Sequence, residues 1–225
     1  EYREIPERFA ERWLRILVVI AIQAATALEN HYLQQQEIEH QRLENELNLA
    51  REIQTSFLPA ELPLLPGWDL ATFWQSARQV GGDFYDLFML PQERLGLVIA
   101  DVVDKGVPAA LFMALCRTLI KAIAMDGRPA NRVLMRANDL ILADAHSDMF
   151  VTAFYGQLDP KTQQLTYASG GHNPALLVRG ESGEVIKLST RGMALGVIAP
   201  IEIAVNSVDL APGDVLVLYT DGVTD

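Results

Sequence analysis

The chain has 225 residues, half of them hydrophobic and 21% charged, which is the composition of a globular protein with room for one domain and an extension. The formal net charge of −11 argues against a nucleic-acid-binding protein, because such binding depends on neutralising phosphates with basic side chains. Cys116 is the only cysteine, which excludes a disulfide framework and fits a cytoplasmic protein.

The two ends and the first apolar stretch bear on what kind of protein this is. The sequence begins with Glu1 and stops at Asp225, so we interpret it as an excised part of a longer protein. No signal peptide is visible, and polar residues interrupt the apolar stretch 14–28. We expect no membrane span, because crossing a bilayer takes about 20 mostly apolar residues.

Residues 7–58 contain no proline and predict one long helix, or two helices that meet end to end. Its first half is apolar almost all round, so we expect that half to need a partner. The segment AIQAATALEN at 21–30 resembles the last helix of a GAF sensory domain. We therefore interpret residues 1–30 as the end of an upstream sensory domain.

Residues 31–58 predict a helical coiled-coil linker. Along this stretch one set of residues is spaced alternately by three and four, as in a coiled-coil seam. These seam residues are Leu33, Gln36, His40, Leu43, Leu47, Ala50, Gln54 and Phe57. The pattern favours a homodimer through this helix, and a solvated linker helix is the alternative.

Prolines at 59, 63 and 66 end the helix and open a domain at 59–225. Strands are predicted at 68–76, 84–90, 94–103, 150–158, 164–169, 175–179, 185–188, 201–208 and 215–220. A helix should begin at Gly106 and bury Val107, Ala110, Leu111, Ala114, Leu115, Leu119 and Ala122. A second should run from Pro129 to about Ala145 and bury Val133, Leu134, Ala137, Leu140, Ile141 and Ala145. This order of elements predicts an α+β fold with antiparallel sheet.

Three aspartates stand where apolar strands end or glycines turn the chain. The run LGLVIA at 95–100 leads into Asp101, VLVLYT at 215–220 leads into Asp221, and Asp83 follows two glycines. Both strands have two apolar faces and should be buried on both sides, which makes an uncompensated carboxylate cost several kcal/mol. Tight turns are the alternative explanation. Three such acids favour a shared cation, and oxygen ligands favour Mg²⁺ or Mn²⁺ over Zn²⁺.

Four motifs in order resemble the SpoIIE/RsbU branch of the metal-dependent protein phosphatases (PPM). They are GGDFYD at 81–86, ADVVDKGVPAA at 100–110, GGHNP at 170–174 and YTDGVT at 219–224. The lead-in AREIQ at 50–54 and FLP at 57–59 also fit, so the resemblance runs from Leu47 onward. A nucleotide cyclase, suggested by Gly-Gly-Asp alone, is rejected because the other motifs do not fit one.

The resemblance implies two stacked antiparallel sheets flanked by helices, with a site for two Mn²⁺ or Mg²⁺ ions at one edge. It implies that Asp83 binds one ion, that Asp101 bridges both with the Val102 carbonyl as a further ligand, and that Asp221 binds the other. A hydroxide bridging the ions would attack phosphorus in line, which makes the three aspartates catalytic. Family members continue with an Asp-Asn pair, so we expect metal affinity and activity to depend on that segment.

Five nearby residues have less certain roles. Asp86 either supports the metal ligands from behind or lies in a surface turn, and the sequence does not decide between the two. Asp104 stands where many relatives carry glycine, and Lys105 is open between substrate phosphate and solvent. His172 reads first as part of a turn rather than as a general acid. Asp225 stands where the family pattern has Glu, which keeps the charge.

The implied function is that of a cytoplasmic protein serine/threonine phosphatase, the output module of a sensor protein. By resemblance, its substrate is a phosphorylated anti-sigma-factor antagonist in a partner-switching pathway. The competing interpretation is a non-catalytic interaction module with a phosphatase fold. The sequence does not identify the phosphoprotein, the signal, or the choice between Mn²⁺ and Mg²⁺.

Overall fold

A computed structural model describes residues 7–76, 79–144 and 149–223, with side chains from residue 11 onward. The chain forms two compact units, Glu1–Leu49 and Ala50–Asp225. In its described part the first unit is helical and belongs to α1, Glu7–Phe57, which continues into the second unit. The long helix predicted at 7–58 is therefore confirmed.

The first half of α1 presents its apolar side chains to solvent. Trp13, Leu17 and Leu28 are all more than half exposed. By length and composition alone, this helix has a window apolar enough to cross a membrane, and so does a partly buried helix at 107–124. The expected absence of a membrane span, the GAF-like end, the coiled coil and the domain limits at 30 and 58 all stay predictions.

Two antiparallel sheets make up the frame of the second unit. Its strands are β1 Phe84–Met89, β2 Leu95–Val102, β3 Val151–Asp159, β4 Gln164–Gly170, β5 Ala175–Val178, β6 Val185–Leu188, β7 Asn206–Asp209 and β8 Val215–Val217. One sheet has the order β1-β2-β3-β4-β7 and the other the order β6-β5-β8. The helices are α2 Val107–Ala124 and α3 Ala130–Asp144, with short 3₁₀ turns at Pro91–Glu93 and Asp221–Val223. The α+β class and the antiparallel sheets are confirmed.

The five-stranded sheet separates two hydrophobic cores. Alternate residues of β2 point to opposite faces, so Leu95 and Leu97 join the core shared with the second sheet. Val98 and Ala100 join the core formed with α2 and α3. Every β2 residue except Ile99 and Asp101 is buried, which confirms the strand predicted to be covered on both faces.

Three strand predictions need correction. No strand forms at 68–76; Trp68 and Leu70 pack on the core between the sheets through their side chains instead. The strand expected at 201–208 is shortened to β7, and Ile201 is buried in the helix-side core. β8 covers only Val215–Val217, and the burial predicted for both of its faces is wrong: Leu216 packs on the core between the sheets, whereas Val215 and Val217 on the other face are exposed.

The buried face of α2 differs from the predicted one. Leu111 is 69% exposed and Val107 is 40% exposed. The buried residues are Ala109, Phe112, Met113, Cys116, Ile120, Ile123 and Ala124. This helix is apolar on most sides, so its periodicity could not select the face. Burial also raises the pKa of the Cys116 thiol to about 12, which disfavours its reactive thiolate form.

The face of α3 follows its prediction. Val133, Leu134, Ala137 and Ile141 are buried, and Leu140 packs at the edge of the same core. Ala145, named as the last inward residue, lies outside the described residues. Here polar residues mark the outer face clearly, so the pattern was enough to choose the side.

Candidate active site

The antiparallel register of β1 and β2 brings two of the three predicted acids together. Phe84 pairs with Ala100, so the residue before β1 lies opposite the residue after Ala100. These two residues are Asp83 and Asp101, so the register sets their side chains beside each other. The strand ends therefore produce the carboxyl pair directly.

Asp101 carries the largest electrostatic perturbation of the site. Burial is the main cause that raises the pKa of this carboxyl to about 8, followed by its hydrogen bond with Asp83. The negative charges of Asp83 and Asp221 add to the effect, and the Lys105 ammonium opposes it. A proton or a cation between the two carboxylates relieves this repulsion.

Gly82 brings the loop before β1 against the backbone at the end of β2. A Cβ atom on Gly82 would lie 2.7 Å from the Val102 carbonyl oxygen and 3.3 Å from the Val102 nitrogen. Only glycine allows this approach, because the obstructing atoms are backbone atoms. The loop that carries Asp83 is thus packed directly on the carbonyl predicted as a metal ligand.

Two further groups hold Asp83 from other parts of the second unit. The Thr220 hydroxyl donates a hydrogen bond to Asp83 Oδ2 at 2.7 Å. The Trp74 indole N–H donates to the main-chain carbonyl of Asp83 at 3.1 Å. Both the side chain and the backbone of this residue are therefore fixed.

Asp221 lies in the 3₁₀ turn Asp221–Val223 after β8 and is exposed. Its charge acts on Asp101 and on His172, so it belongs to the same region as the carboxyl pair. Within residues 7–76, 79–144 and 149–223, however, no three acidic, histidine or cysteine side chains are grouped as metal ligands. The structure brings Asp83 and Asp101 together, and the charge of Asp221 acts on Asp101 from the 3₁₀ turn after β8.

His172 is buried beside this region. Its Nδ1 lies 2.9 Å from the Thr152 hydroxyl, and Thr152 is paired with Asp101 across β2 and β3. Among the described residues, its Nε2 atom is buried without a hydrogen-bond partner. Burial lowers the pKa of the imidazole, against the opposing effects of the Tyr219 backbone, Asp83 and Asp221.

The loop after β2 carries the remaining polar candidates. Asp104 is exposed with φ at +90°, the left-handed region, and its Oδ1 accepts a hydrogen bond from the Lys105 N–H at 2.8 Å. This backbone conformation explains why glycine suits the position. Lys105 is exposed as well, and its charge acts on Asp101.

Asp86 occupies neither of its two predicted environments. It is fully buried, with Oδ2 2.6 Å from Arg117 Nη2 and 3.1 Å from Lys121 Nζ. Both partners lie on α2, and Lys121 also sits over the Phe88 ring. The surface-turn interpretation is wrong, because this acid fixes α2 to the five-stranded sheet.

The comparisons with known proteins agree with this arrangement. The model of the family described as Stage II sporulation protein E (SpoIIE) matches residues 91–225. The chain belongs to the SpoIIE family. The match starts after Asp83, so the first of the four motifs lies ahead of it.

The relatives of this SpoIIE-family chain include two curated proteins. Protein IcfG of Synechocystis sp. is 37% identical over 208 residues, covering 80% of this chain and 32% of IcfG. Phosphoserine phosphatase RsbU of Bacillus subtilis is 30% identical over 185 residues, covering 82% of this chain and 55% of RsbU. The chain thus spans between a third and about half of the length of these relatives.

A solved structure shows the same fold. The SiaA-PP2C domain of Pseudomonas aeruginosa superposes with a TM-score of 0.67 at 25% sequence identity. The alignment covers 81% of this chain and 73% of that domain. Membership of the SpoIIE/RsbU branch of the PPM phosphatases, inferred from the motifs, is confirmed.

The SpoIIE-type fold implies a metal site, and part of the present donor set fits one. Asp83 and Asp101 offer two carboxylates that need a cation or a proton between them, and the Val102 carbonyl lies against the same loop. All three donors are hard oxygens, as Mn²⁺ and Mg²⁺ prefer. Asp221 is a further carboxylate of this region, since its charge acts on Asp101.

Sequence reasoning did not identify three residues that contact this loop. Thr220 and Trp74 bind Asp83, and Gln54 of α1 binds Gly81. Thr220 lies inside a recognised motif, so its position was a usable signal. Gln54 was named as part of the lead-in motif and as a seam residue, but it was given no role at the site. Trp74 lies in the segment 68–76, which was interpreted as a strand.

Proposed function

We propose that this chain is a metal-dependent protein serine/threonine phosphatase that hydrolyses phosphoserine and phosphothreonine. The observation that carries the proposal is the position of Asp83 and Asp101 opposite each other at adjoining strand ends, where burial and the neighbouring charges raise the pKa of Asp101. Its relative RsbU is named a phosphoserine phosphatase, which supports the same substrate class here. Family membership alone would give the fold but not the chemistry.

In this proposal the acidic residues serve as metal ligands. Asp83 would help to hold one ion, Asp221 would help to hold the other, and Asp101 with the Val102 carbonyl would contribute to both. Bound Mn²⁺ or Mg²⁺ would supply an activated water and neutralise charge on the phosphoryl group. The Thr220 hydroxyl orients the Asp83 carboxylate through its hydrogen bond. These residues position and charge the site, and none of them needs to form a covalent bond to phosphorus.

The biological context of the proposal comes from the relatives. We assign the chain to the cytoplasm as the output module of a sensor protein, with a phosphorylated anti-sigma-factor antagonist as its substrate. The resemblance of the four motifs to the SpoIIE/RsbU branch supports a role in partner switching, and the relative RsbU is named a phosphoserine phosphatase. The apolar face at 14–28 and the seam at 31–58 support dimerisation through α1.

The test is hydrolysis of a generic aryl phosphate and of a phosphoserine peptide while Mn²⁺ is titrated. Asp101→Asn is expected to lower turnover at least about a hundredfold, because metal-ion catalysis supplies several kcal/mol of transition-state stabilisation. Asp104→Asn is the matched control, since it removes an exposed acid three residues away and Asn also tolerates a positive φ.

A non-catalytic module with a phosphatase fold is the second candidate. Both candidates share the fold, and they differ in metal binding and turnover. If neither substrate is hydrolysed at any Mn²⁺ concentration and calorimetry detects no metal binding, either by this chain or by a version extended with the Asp-Asn segment of the family, this candidate replaces the phosphatase. Equal activity in Asp101→Asn and the unsubstituted chain would also contradict the proposed mechanism.

A further inference from the structure

The side chain of Gln54 binds both polar backbone groups of one residue in the metal-ligand loop. Its Nε2 donates to the Gly81 carbonyl at 2.5 Å, and its Oε1 accepts from the Gly81 N–H at 3.1 Å. Gln54 is only 2% exposed although it lies in the last turns of α1. Its amide thus serves Gly81 as a neighbouring strand would, since the β1–β2 pairing starts only at Phe84.

This contact lies two residues before Asp83 in a segment that holds its shape only through outside contacts. Gly81 and Gly82 have no side chains to restrict their backbone, so they lose more conformational entropy than other residues when ordered. Gln54 fixes Gly81, the Val102 backbone limits Gly82, and Thr220 with Trp74 fixes Asp83. Three successive residues are therefore each held by a different part of the second unit.

We propose that Gln54 is a positioning residue for the metal site. Resting on the proposed phosphatase function, this inference states that the Gln54 amide keeps the Gly81–Asp83 loop in the conformation that presents the Asp83 carboxylate to metal. The amide is suited to this task because it donates and accepts at the same time, matching one C=O and one N–H. A residue that merely filled the core would need neither group.

The direct test is the Mn²⁺ dissociation constant measured by calorimetry on the 225-residue chain. Gln54→Met keeps the length of the side chain and removes both hydrogen bonds. We expect it to weaken Mn²⁺ binding by about tenfold or more, the range found when the groups that orient metal ligands are removed. Gln54→Glu loses the donor and sets a carboxylate oxygen against the Gly81 carbonyl, so weaker binding is expected there too, and this variant serves if the Met variant does not fold.

Two controls separate positioning from general stability. Gln41→Met makes the same change on an exposed face of α1, where the Gln41 amide donates a hydrogen bond to Glu37 Oε1 at 2.9 Å. Ile141→Val trims a buried residue of α3 and lowers stability away from the loop. All variants are compared at a temperature at which circular dichroism shows each to be folded. Neither control should change the Mn²⁺ dissociation constant by more than about twofold, because neither touches the loop that presents the metal ligands.

The outcomes distinguish this inference from the proposed function. Unchanged Mn²⁺ affinity in Gln54→Met, whatever its melting temperature, would overturn the positioning role and leave the phosphatase intact. An equal loss of affinity in Ile141→Val would overturn it as well, because the effect would then follow stability. Absence of Mn²⁺ binding by the unsubstituted chain, both as these 225 residues and extended with the Asp-Asn segment of the family, would overturn the proposed function and this inference with it.

Discussion

At the scale of single residues, Gly82 decides whether the carboxyl pair can form. It buries its backbone against Val102, where an added Cβ would be 2.7 Å from a carbonyl oxygen. Backbone atoms on both sides cannot move aside as the end of a flexible side chain could. The close approach therefore depends on the missing side chain and not on a special φ angle.

Gly82→Ala should destabilise the protein by about 1–3 kcal/mol, the usual range for overpacking a tight contact. We also expect weaker Mn²⁺ binding, because the displaced loop carries Asp83. Chemical denaturation followed by circular dichroism gives the first quantity and calorimetry gives the second.

Gly81→Ala is the control for that experiment. Among the described residues, a Cβ on Gly81 would meet the Ser76 Cβ atom at 3.5 Å and no other atom within 4 Å, which is an ordinary contact. Its free energy of unfolding should change much less than that of Gly82→Ala. Equal losses in the two variants would contradict the close-packing argument.

The site residues differ in how far the sequence could reveal them. Asp83 and Asp101 were predictable, because each stands at a strand end and register carries such residues into contact. The contacts of Trp74 and Gln54 with the loop could not be predicted, since neither residue lies in a β-strand whose register would place it. Asp86 was misread because its sequence position does not show that Arg117 faces it from α2.

At the scale of elements, Asp86 fixes α2 to β1. Its carboxylate has no exposed surface and is shared by two cations of the helix, one of them only 15% exposed. This ion pair also explains which face of α2 is buried. The helix has apolar residues on most sides, and the basic residues at 117 and 121 must turn toward β1 to meet the acid.

Asp86→Ala should lower the free energy of unfolding by about 3–5 kcal/mol, because it leaves a largely buried Arg117 without its counter-charge. Thermal and denaturant unfolding measure the change. Asp126→Ala breaks an exposed pair with Arg128 and should cost less than about 1 kcal/mol. Similar losses in both variants would show that the buried pair is not special.

The elements were predictable where a pattern had one solution. β2 and α3 followed their hydrophobic patterns, since the first is apolar on both faces and the second has one clear stripe. The strand prediction for 68–76 was wrong, because an alternating pattern leads to a strand only if a neighbouring strand is free to pair with it. Burial of Trp68 and Leu70 by packing of side chains produces the same pattern without a ladder.

At the scale of the whole molecule, α1 is the feature that the described fold does not explain by itself. The part of α1 in the first unit exposes large apolar side chains, and the seam at 33–57 has coiled-coil spacing. A second copy of the chain supplies the complementary surface in the proposed function. The sequence predicted this need for a partner, because the first half of the helix is apolar almost all round.

Deleting residues 38–39 should disrupt a dimer formed through this seam, because two residues turn the rest of the helix by about 200°. Deleting residues 37–43 removes one heptad and keeps the seam in phase. We expect weaker self-association and altered phosphatase turnover for the first deletion and little change for the second. Analytical ultracentrifugation and aryl phosphate hydrolysis measure the two quantities, and unchanged dimerisation and turnover in both deletions would contradict the coiled coil.

The bond from the Trp74 indole to the Asp83 carbonyl gives the protein an optical property. Indole emission depends on the polarity and charge around the ring, and this ring is hydrogen-bonded to the main chain of Asp83, a proposed metal ligand. The chain has three tryptophans, of which Trp13 and Trp68 can be replaced by phenylalanine to leave one emitting ring. The intrinsic fluorescence of Trp74 should then report the binding of metal at Asp83 in real time, without a label and without turnover.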